Sequence, residues 1–252
     1  MSSEMVKNGH LGGYFRGGDP GTWCPNLWSW IIEEFSVRSV LDIGCGEGQS
    51  TRFFHERGCD VVGIDGSQKA IDNSVIPACV VKHDFCDGPY VPDRKSDLIW
   101  ACEFLEHVEE RYVPNILETF ATSANLVLVT HAFPGQDRGH HHVNCQPSAY
   151  WIRKIESIEF ACNTQLTLAG RTKTLQDYPS INHFARSGLI FVRSKQASQH
   201  PVTASSPWKP RWKAARINWG FKISSAYRTH RRRRRAQKRQ LRRKQTAQHH
   251  VT

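Results

Sequence analysis

Short apolar runs alternate with amphipathic stretches along most of this 252-residue chain. The clearest run, Ser39–Ile43, has the length of one strand and is followed by glycines at every second position. This pattern predicts a buried strand that turns sharply into a helix, where backbone N–H groups can face a ligand. The alternation continues to about residue 194 and predicts a Rossmann-like, doubly wound α/β sheet.

Six further strands are predicted from short apolar runs rich in β-branched residues. These are residues 60–64, 78–82, 97–102, 125–131, 160–169 and 189–192. Helices are predicted from apolar residues at helical spacing over 25–35, 49–57, 68–74, 108–124 and 147–159. We expect a mostly parallel sheet with an antiparallel edge strand formed by the last segments.

Three regions are predicted along the chain. Residues 1–37 form an N-terminal loop and helix, and Tyr14, Phe15 and Trp23 are candidates for a lid over a ligand. Residues 38–195 form the ligand-binding α/β domain. Residues 196–252 form a basic extension that is predicted to be disordered or partly helical.

Charge divides the chain unevenly. Residues 1–177 contain all 23 Asp and Glu but 15 of the 34 Lys and Arg, so this part has a net charge of −8. The basic pI of about 9.5 is therefore a property of the extension and not of the α/β domain. An acidic domain of this kind does not itself predict binding to a polyanion.

The basic extension contains 16 Lys and Arg between residues 208 and 244, with tryptophans interleaved near its start. Four interpretations remain open: nucleic-acid binding, binding to an anionic membrane surface, a nuclear-targeting signal, and a solubilising tail without a partner. The sequence does not distinguish among them.

The eight cysteines form no C-x-x-C pair, which favours a reduced, intracellular protein and disfavours a cysteine-based zinc site. The first residues do not resemble a signal peptide, and no run approaches the roughly 20 apolar residues of a membrane span. We expect a cytoplasmic location, or a nuclear one in a eukaryotic host, with no transmembrane segment.

The glycine turn has the spacing GxGxG at Gly44, Gly46 and Gly48, which differs from the GxGxxG of most dinucleotide-binding proteins. Asp42 precedes it, and a carboxylate there would repel a phosphate but would suit a cationic ligand.

Two further carboxylates follow the next strands. Asp65 ends the second strand and can accept hydrogen bonds from ribose hydroxyls. Asp84 follows the third strand and can accept from an adenine amino group.

These motifs resemble the class I S-adenosylmethionine-dependent methyltransferases. The match includes Asp-Ile-Gly-Cys-Gly-Glu-Gly at 42–48, the fourth-strand segment 97–103, and Phe-Leu-Glu-His-Val at 104–108, which is similar to the "EVLEHV" segment of one large branch. The resemblance covers about residues 38–195, while a nicotinamide-binding Rossmann enzyme remains an alternative. It implies S-adenosylmethionine as the cofactor, bound by Asp42, Gly44, Cys45, Gly46, Gly48, Asp65, Asp84, Phe85 and Glu103.

The candidate catalytic residues are histidines, because a hydroxyl or protonated amine acceptor needs a base and imidazole titrates near neutrality. His107 and His131 follow strands whose ends face the site in this fold. His141 lies in the run 140–142, where the resemblance places acceptor-binding loops. A pocket-shaping His107, a solvated histidine loop and metal ligation are the alternatives.

The metal alternative has a specific basis. Glu103-x-x-Glu106-His107 with a distal histidine resembles the magnesium ligands of small-RNA 3′-terminal 2′-O-methyltransferases. The same residue pattern, Glu-x-x-Glu-His, occurs in metal-free relatives that act on sugars and quinones. We therefore expect no metal requirement and keep magnesium as an alternative.

The sequence thus predicts transfer of a methyl group to an oxygen or nitrogen of a hydroxylated small molecule or sugar. An RNA 2′-O-methyltransferase that holds its substrate with the basic extension is the first alternative. A non-catalytic polyanion-binding protein on the same scaffold is the second.

Overall fold

The computed structural model of the protein describes residues 9–11, 13–136, 139–177 and 182–194. The chain divides into two units, Met1–Ser206 and Pro207–Thr252, and every described residue belongs to the first. The predictions for the basic extension at 196–252, including its segment 208–244, therefore lie outside the described residues.

One sheet organises the described part of the chain. Its strands are Ser39–Ile43 (β1), Asp60–Asp65 (β2), Val80–Lys82 (β3), Ser96–Ala101 (β4), Ala124–Val129 (β5), Phe160–Cys162 (β6) and Leu189–Arg193 (β7). They lie in the order β3-β2-β1-β4-β5-β7-β6, and β7 pairs antiparallel with both β5 and β6, whereas β1 to β5 are parallel. The predicted mostly parallel, Rossmann-like sheet with an antiparallel end is confirmed.

Helices cover both faces of the sheet. They are Pro25–Phe35 (α1), Gln49–Glu56 (α2), Gln68–Asp72 (α3), Val113–Ser123 (α4), Ser148–Glu156 (α5), Thr164–Thr174 (α6) and His183–Ser187 (α7). Short 3-10 helices occur at Pro20–Thr22, Pro77–Cys79, Leu105–His107 and Glu110–Tyr112. Among the helices that the structure describes, none combines the length and the apolar character needed to cross a bilayer.

The central strands are apolar at nearly every position because both of their faces are buried. In β4, Leu98 and Trp100 belong to one apolar layer, with α1, α2, α6 and α7. Ile99 and Ala101 belong to the other layer, with α4 and α5. Burying one such leucine or isoleucine contributes about 1.5–3 kcal/mol, so these layers hold the strand ends in fixed positions.

The strand predicted at 160–169 is wrong beyond Cys162. The side chain of Asn163 accepts a hydrogen bond from the backbone N–H of Leu166 at 3.0 Å and caps α6. An Asn N-cap stabilises the start of a helix by about 0.5–2 kcal/mol, which favours the helix over a continued strand here.

The helix predicted at 108–124 is shorter than expected. The 3-10 helix Glu110–Tyr112 precedes α4, which has Pro114 in its first turn and begins at Val113. Proline suits that position because its missing N–H would have no partner there. Ala124 already belongs to β5.

Candidate functional site

The glycine turn at residues 44–48 joins β1 to α2, next to the place where the strand order reverses between β1 and β4. Ligands of open α/β sheets bind outside the carboxyl ends of the strands at such a point. Gly44, Gly46 and Gly48 have φ values of +69°, +56° and +79°, a region that L side chains rarely adopt. A Cβ at Gly44 would also lie 2.8 Å from the ring of Phe104.

The backbone at Gly46 is less closely packed than the backbone at Gly44. A Cβ built there would meet only the Cβ of Tyr14, at 3.5 Å, among the residues that the structure describes. The N–H groups of Gly44 and Cys45 both donate to the carbonyl of Ile64, at 2.9 and 3.1 Å. These bonds fix the turn against β2 and leave Gly46 accessible to a ligand.

Asp42 is buried and faces the start of α2. Its Oδ2 accepts hydrogen bonds from the hydroxyls of Ser50 and Thr51, both at 2.6 Å. Burial raises the pKa of Asp42 to about 6 in spite of these bonds. Gly63, its neighbour on β2, leaves room for this contact, because a Cβ there would lie 2.8 Å from the Thr51 hydroxyl. The sequence led us to expect Asp42 opposite a cationic ligand, but its position favours orienting α2.

Asp65 lies at the carboxyl end of β2, directly across from the glycine turn. Its Oδ2 accepts from the N–H of Gly46 at 2.9 Å, and its Oδ1 accepts from the N–H of Ser67 at 2.8 Å. Burial raises the pKa of Asp65. Cys45 is buried beside it, and burial also raises the pKa of its thiol, so the thiol is unionised at neutral pH.

Asp84 follows β3 and binds the N-terminal segment. Its Oδ2 lies 2.7 Å from Nε2 of His10, and its Oδ1 accepts from the N–H of Cys86 at 2.9 Å. Burial opposes ionisation here, but these hydrogen bonds outweigh it and lower the pKa of Asp84. Phe85 is buried in the core and packs against Phe104, with ring centroids 5.4 Å apart.

A pocket with about 430 Å³ of empty volume opens between these groups. It is bounded by residues that follow β2, β3 and β4, by the N-terminal segment and by the histidine loop. Its lining comprises His10, Leu11, Gly66, His83, Asp84, Phe85, Cys86, Phe104, His107, Val108, Glu109 and His141. The sequence predicted Asp84, Phe85, His107 and His141 as site residues, and the structure brings these four together.

The N-terminal segment, residues 9–11 and 13–22, lies across the carboxyl ends of β1 to β3. The N–H of Gly17 donates to the Glu47 carboxylate at 2.7 Å, and a Cβ at Gly66 would lie 2.4 Å from Leu11. Tyr14 lies over Gly46, as described above. These contacts are consistent with the predicted lid, which stays a prediction.

Trp23 lies elsewhere than the lid prediction placed it. Its ring packs edge-on against Trp28 and Phe53, with centroids 5.1 and 5.8 Å apart. It therefore extends the apolar layer beneath α1. The side chain of Phe15, another of the lid candidates, is 45% exposed to solvent.

Glu103 anchors a partly buried network at the end of β4. Its backbone has φ +54°, and its carboxylate accepts from the Thr130 hydroxyl at 2.9 Å and pairs with Nδ1 of His183 at 3.0 Å. Nε2 of the same imidazole lies 3.2 Å from Asp19. Burial opposes the charged form, but the two carboxylates outweigh it and raise the pKa of His183 to about 10. Glu103 is thus paired with a cation of the protein itself, which does not favour direct binding of the cofactor.

The three candidate catalytic histidines occupy different environments. Burial lowers the pKa of His141, whose Nε2 is buried with no hydrogen-bond partner in the described part of the chain. Burial and the adjacent imidazole of His142 lower the pKa of His107 to about 4. His131 is buried, and its Nε2 and Nδ1 lie 2.9 and 3.4 Å from the Ser148 hydroxyl and a carbonyl oxygen. His131 does not line the described pocket, so its position does not favour a role as base.

Glu106 is the most unusual acid in this region. It is 0% exposed, and neither carboxylate oxygen has a hydrogen-bond partner among the residues that the structure describes. Burial, followed by repulsion from Glu103, raises the pKa of Glu106 well above its usual range. Its backbone carbonyl accepts from the N–H groups of Val143 and Asn144, both at 3.0 Å, and so ties the histidine loop to this acid.

Sequence reasoning missed His10 and the pairing of Asp19 with His183. Both contacts join residues more than 70 positions apart, and no local spacing indicates them. In the sequence, these two contacts are indicated only by the presence of His10 and Asp19 in a glycine-rich segment, and that indication is weak.

Comparison of this chain with known proteins identifies its family. A family model described as a methyltransferase domain matches residues 17–166, more than half of the chain. The chloroplastic tocopherol O-methyltransferase of Arabidopsis thaliana is 30% identical over 110 residues, covering 39% of this chain and 31% of that protein. The chain thus spans about a third of that relative's length.

Two solved structures are also similar to the chain. The plantazolicin methyltransferase BpumL, in complex with a pentazolic desmethylPZN analog and SAH, is 15% identical, covering 67% of this chain and 82% of that one, with a TM-score of 0.49. A SAM-dependent methyltransferase from Archaeoglobus fulgidus is 18% identical, covering 76% and 99%, also with a TM-score of 0.49.

The residues present fit the cofactor that this family uses. The backbone at Gly46 leaves room that a Cβ would fill, and Asp65 and Asp84 lie at the carboxyl ends of two neighbouring parallel strands. The chain belongs to the family that this methyltransferase-domain model describes.

Proposed function

We propose that this methyltransferase acts on an oxygen or nitrogen of a hydroxylated small molecule or sugar. The proposal rests on the part of the described pocket formed by His107, Val108 and His141, since Asp84 and Phe85 in the same pocket are assigned to the cofactor. The lining as a whole combines apolar side chains, among them Leu11, Phe85 and Phe104, with four imidazoles and two carboxylates. Such a lining suits a compact acceptor with hydroxyl groups better than a phosphate polymer, because the carboxylates would repel phosphates.

We assign the cofactor to the carboxyl ends of β1 to β3. S-adenosylmethionine supplies a methyl group from a sulfonium centre. The open backbone at Gly46 would bind its amino-acid part, Asp65 would accept from the ribose hydroxyls, and Asp84 would accept from the adenine amino group. Asp42 acts indirectly, because it holds Ser50 and Thr51 at the start of α2.

His141 is the proposed base for a hydroxyl acceptor. Its imidazole lines the pocket, and its Nε2 has no partner among the described residues. Because burial lowers its pKa, the ring is neutral at physiological pH and can accept the proton that the acceptor loses. Apart from this proton transfer, the enzyme acts by holding the methyl donor and the acceptor atom in line.

The relative from Arabidopsis thaliana supports an oxygen acceptor, since its name specifies O-methylation of tocopherol. The match covers 39% of this chain, so it supports the class of reaction and leaves the acceptor itself open.

The acceptor class can be tested with labelled S-adenosylmethionine. The full-length protein is incubated with separated small-molecule, glycan and RNA fractions of a cell extract. We expect label in the small-molecule or glycan fraction. Label confined to RNA would contradict the proposal and favour the RNA 2′-O-methyltransferase alternative. No label in any fraction, with S-adenosylmethionine bound, would favour the non-catalytic alternative.

A further inference from the structure

The imidazole of His183 joins two carboxylates that are far apart in the sequence. Its Nδ1 lies 3.0 Å from a carboxylate oxygen of Glu103, and its Nε2 lies 3.2 Å from a carboxylate oxygen of Asp19. A neutral imidazole has a single N–H, so both nitrogens can donate to these carboxylates only when the ring is charged. His183 therefore forms a charged bridge between the two acids.

One end of this bridge is fixed to the sheet. The N–H of Glu103 donates to the hydroxyl of Thr130, the residue after β5, at 2.7 Å, and that hydroxyl donates to the Glu103 carboxylate at 2.9 Å. The imidazole is held as well, because His183 is the first residue of α7, which Asn182 caps by accepting from the N–H of Ala185 at 3.0 Å. The bridge thus starts from positions set by two central strands and a capped helix.

The other end of the bridge holds the N-terminal segment. The second carboxylate oxygen of Asp19 accepts from the N–H of Gly21 at 2.8 Å and caps the short 3-10 helix that follows. Just before Asp19, the N–H of Gly17 donates to the carboxylate of Glu47 in the glycine turn at 2.7 Å, and Tyr14 lies over the same turn. Asp19 therefore connects His183 to the residues that cover the glycine turn.

We propose that His183 is a positioning residue for the cofactor, which holds residues 13–18 over the glycine turn through Asp19 and ties them to the sheet through Glu103. His183 acts through these residues, since it does not line the described pocket. The inference rests on the proposed function in one respect, the assignment of the cofactor to the carboxyl ends of β1 to β3. Without the charged ring, one carboxylate loses its donor and the segment is released from the sheet.

The test measures binding of S-adenosylhomocysteine to the full-length protein by calorimetry. His183→Gln leaves a donor for only one of the two carboxylates, and Asp19→Asn removes the charge but keeps an oxygen that can accept from Gly21. Each variant should bind about tenfold more weakly than wild type, the scale for losing a hydrogen bond to a charged group. The double variant should bind about as weakly as either single variant, because both substitutions break the same bridge.

A second measurement follows the segment itself. Amide hydrogen exchange of residues 13–18 in the ligand-free protein should be faster in His183→Gln and Asp19→Asn than in wild type. Arg193→Gln is the matched control for a general loss of stability. The Arg193 guanidinium donates to the carbonyls of Ala121 and Ala124 at 2.6 and 2.8 Å, where β5 begins, at the other end of the parallel strands. This variant should keep the wild-type affinity and the wild-type exchange of residues 13–18.

The outcomes separate this inference from the proposed function. Wild-type affinity in both His183→Gln and Asp19→Asn would overturn the positioning role and leave the proposed function intact. Unchanged exchange of residues 13–18 in both variants would overturn it as well. A wild-type protein that binds no S-adenosylhomocysteine would contradict the proposed function and, with it, the positioning of a cofactor. Asp19→Asn decides the question if His183→Gln does not fold.

Discussion

The two sides of the pocket are built in different ways. On the cofactor side, Gly46, Asp65 and Asp84 lie at the carboxyl ends of the neighbouring parallel strands β1, β2 and β3. On the acceptor side, His107 and His141 come from irregular segments that only tertiary contacts hold together. The sheet therefore fixes the donor position by regular geometry, while the loops leave the acceptor position free to differ between relatives.

The largest effect is expected on the cofactor side. Gly46→Val should abolish binding of S-adenosylmethionine, because it puts a side chain at φ +56° in the open space above the turn. Calorimetric titration measures this loss. Gly58→Val is the matched control: Gly58 has φ +79° with no neighbour within 4 Å of a Cβ, away from the turn. Retained binding in Gly46→Val would mean that the cofactor does not approach this backbone.

On the acceptor side, His141→Ala should lower kcat by about 10²-fold or more, the usual contribution of a general base. The affinity for S-adenosylmethionine should not change by more than about twofold. His140→Ala is the control, because that residue is exposed and does not line the described pocket. Equal losses of kcat in both variants would remove His141 as the base.

A smaller effect is expected for Asp65→Ala. It should weaken binding of S-adenosylmethionine by about 1–3 kcal/mol, the scale for losing a hydrogen bond to a charged group. Asp72→Ala, an exposed carboxylate at the end of α3, is the control and should bind normally. If Asp65→Ala keeps full affinity, the ribose hydroxyls bind elsewhere.

An effect of about the same size as that at Asp65 concerns the pH dependence of stability. His183 has a pKa of about 10 in the folded state, above the unfolded value of about 6.5, so its ion pairs stabilise the fold fully below pH 6.5. This contribution should decrease between pH 6.5 and 10. His183→Gln should therefore cost about 1–3 kcal/mol near pH 6 and progressively less as the pH rises, measured by urea unfolding. A cost that stays constant to pH 10 would show that the imidazole is not charged.

The sheet was predictable from the sequence because strand ends carry local signals. The bounds of β1 were predicted to the residue, and the order of strands and helices followed from their alternation. The error at 160–169 arose because a single capping residue, Asn163, outweighed an apolar pattern.

The acceptor side was less predictable because its contacts join distant residues. The sequence singled out His141 from the run 140–142 but gave no indication that the ring of His142 would contact His107. It also gave no indication that His10 would meet Asp84. Such contacts depend on how segments far apart in the sequence pack against each other. Hydrophobic periodicity does not determine this packing.

The central claim is that the cofactor occupies the strand ends and directs its methyl group at the histidine side of the pocket. A crystal structure with bound S-adenosylhomocysteine tests this directly. We predict that the ribose hydroxyls bind Asp65, that the adenine amino group replaces His10 at Asp84, and that the sulfur faces the pocket lined by His141. A ribose bound away from Asp65, or a sulfur turned away from His141, would contradict the account.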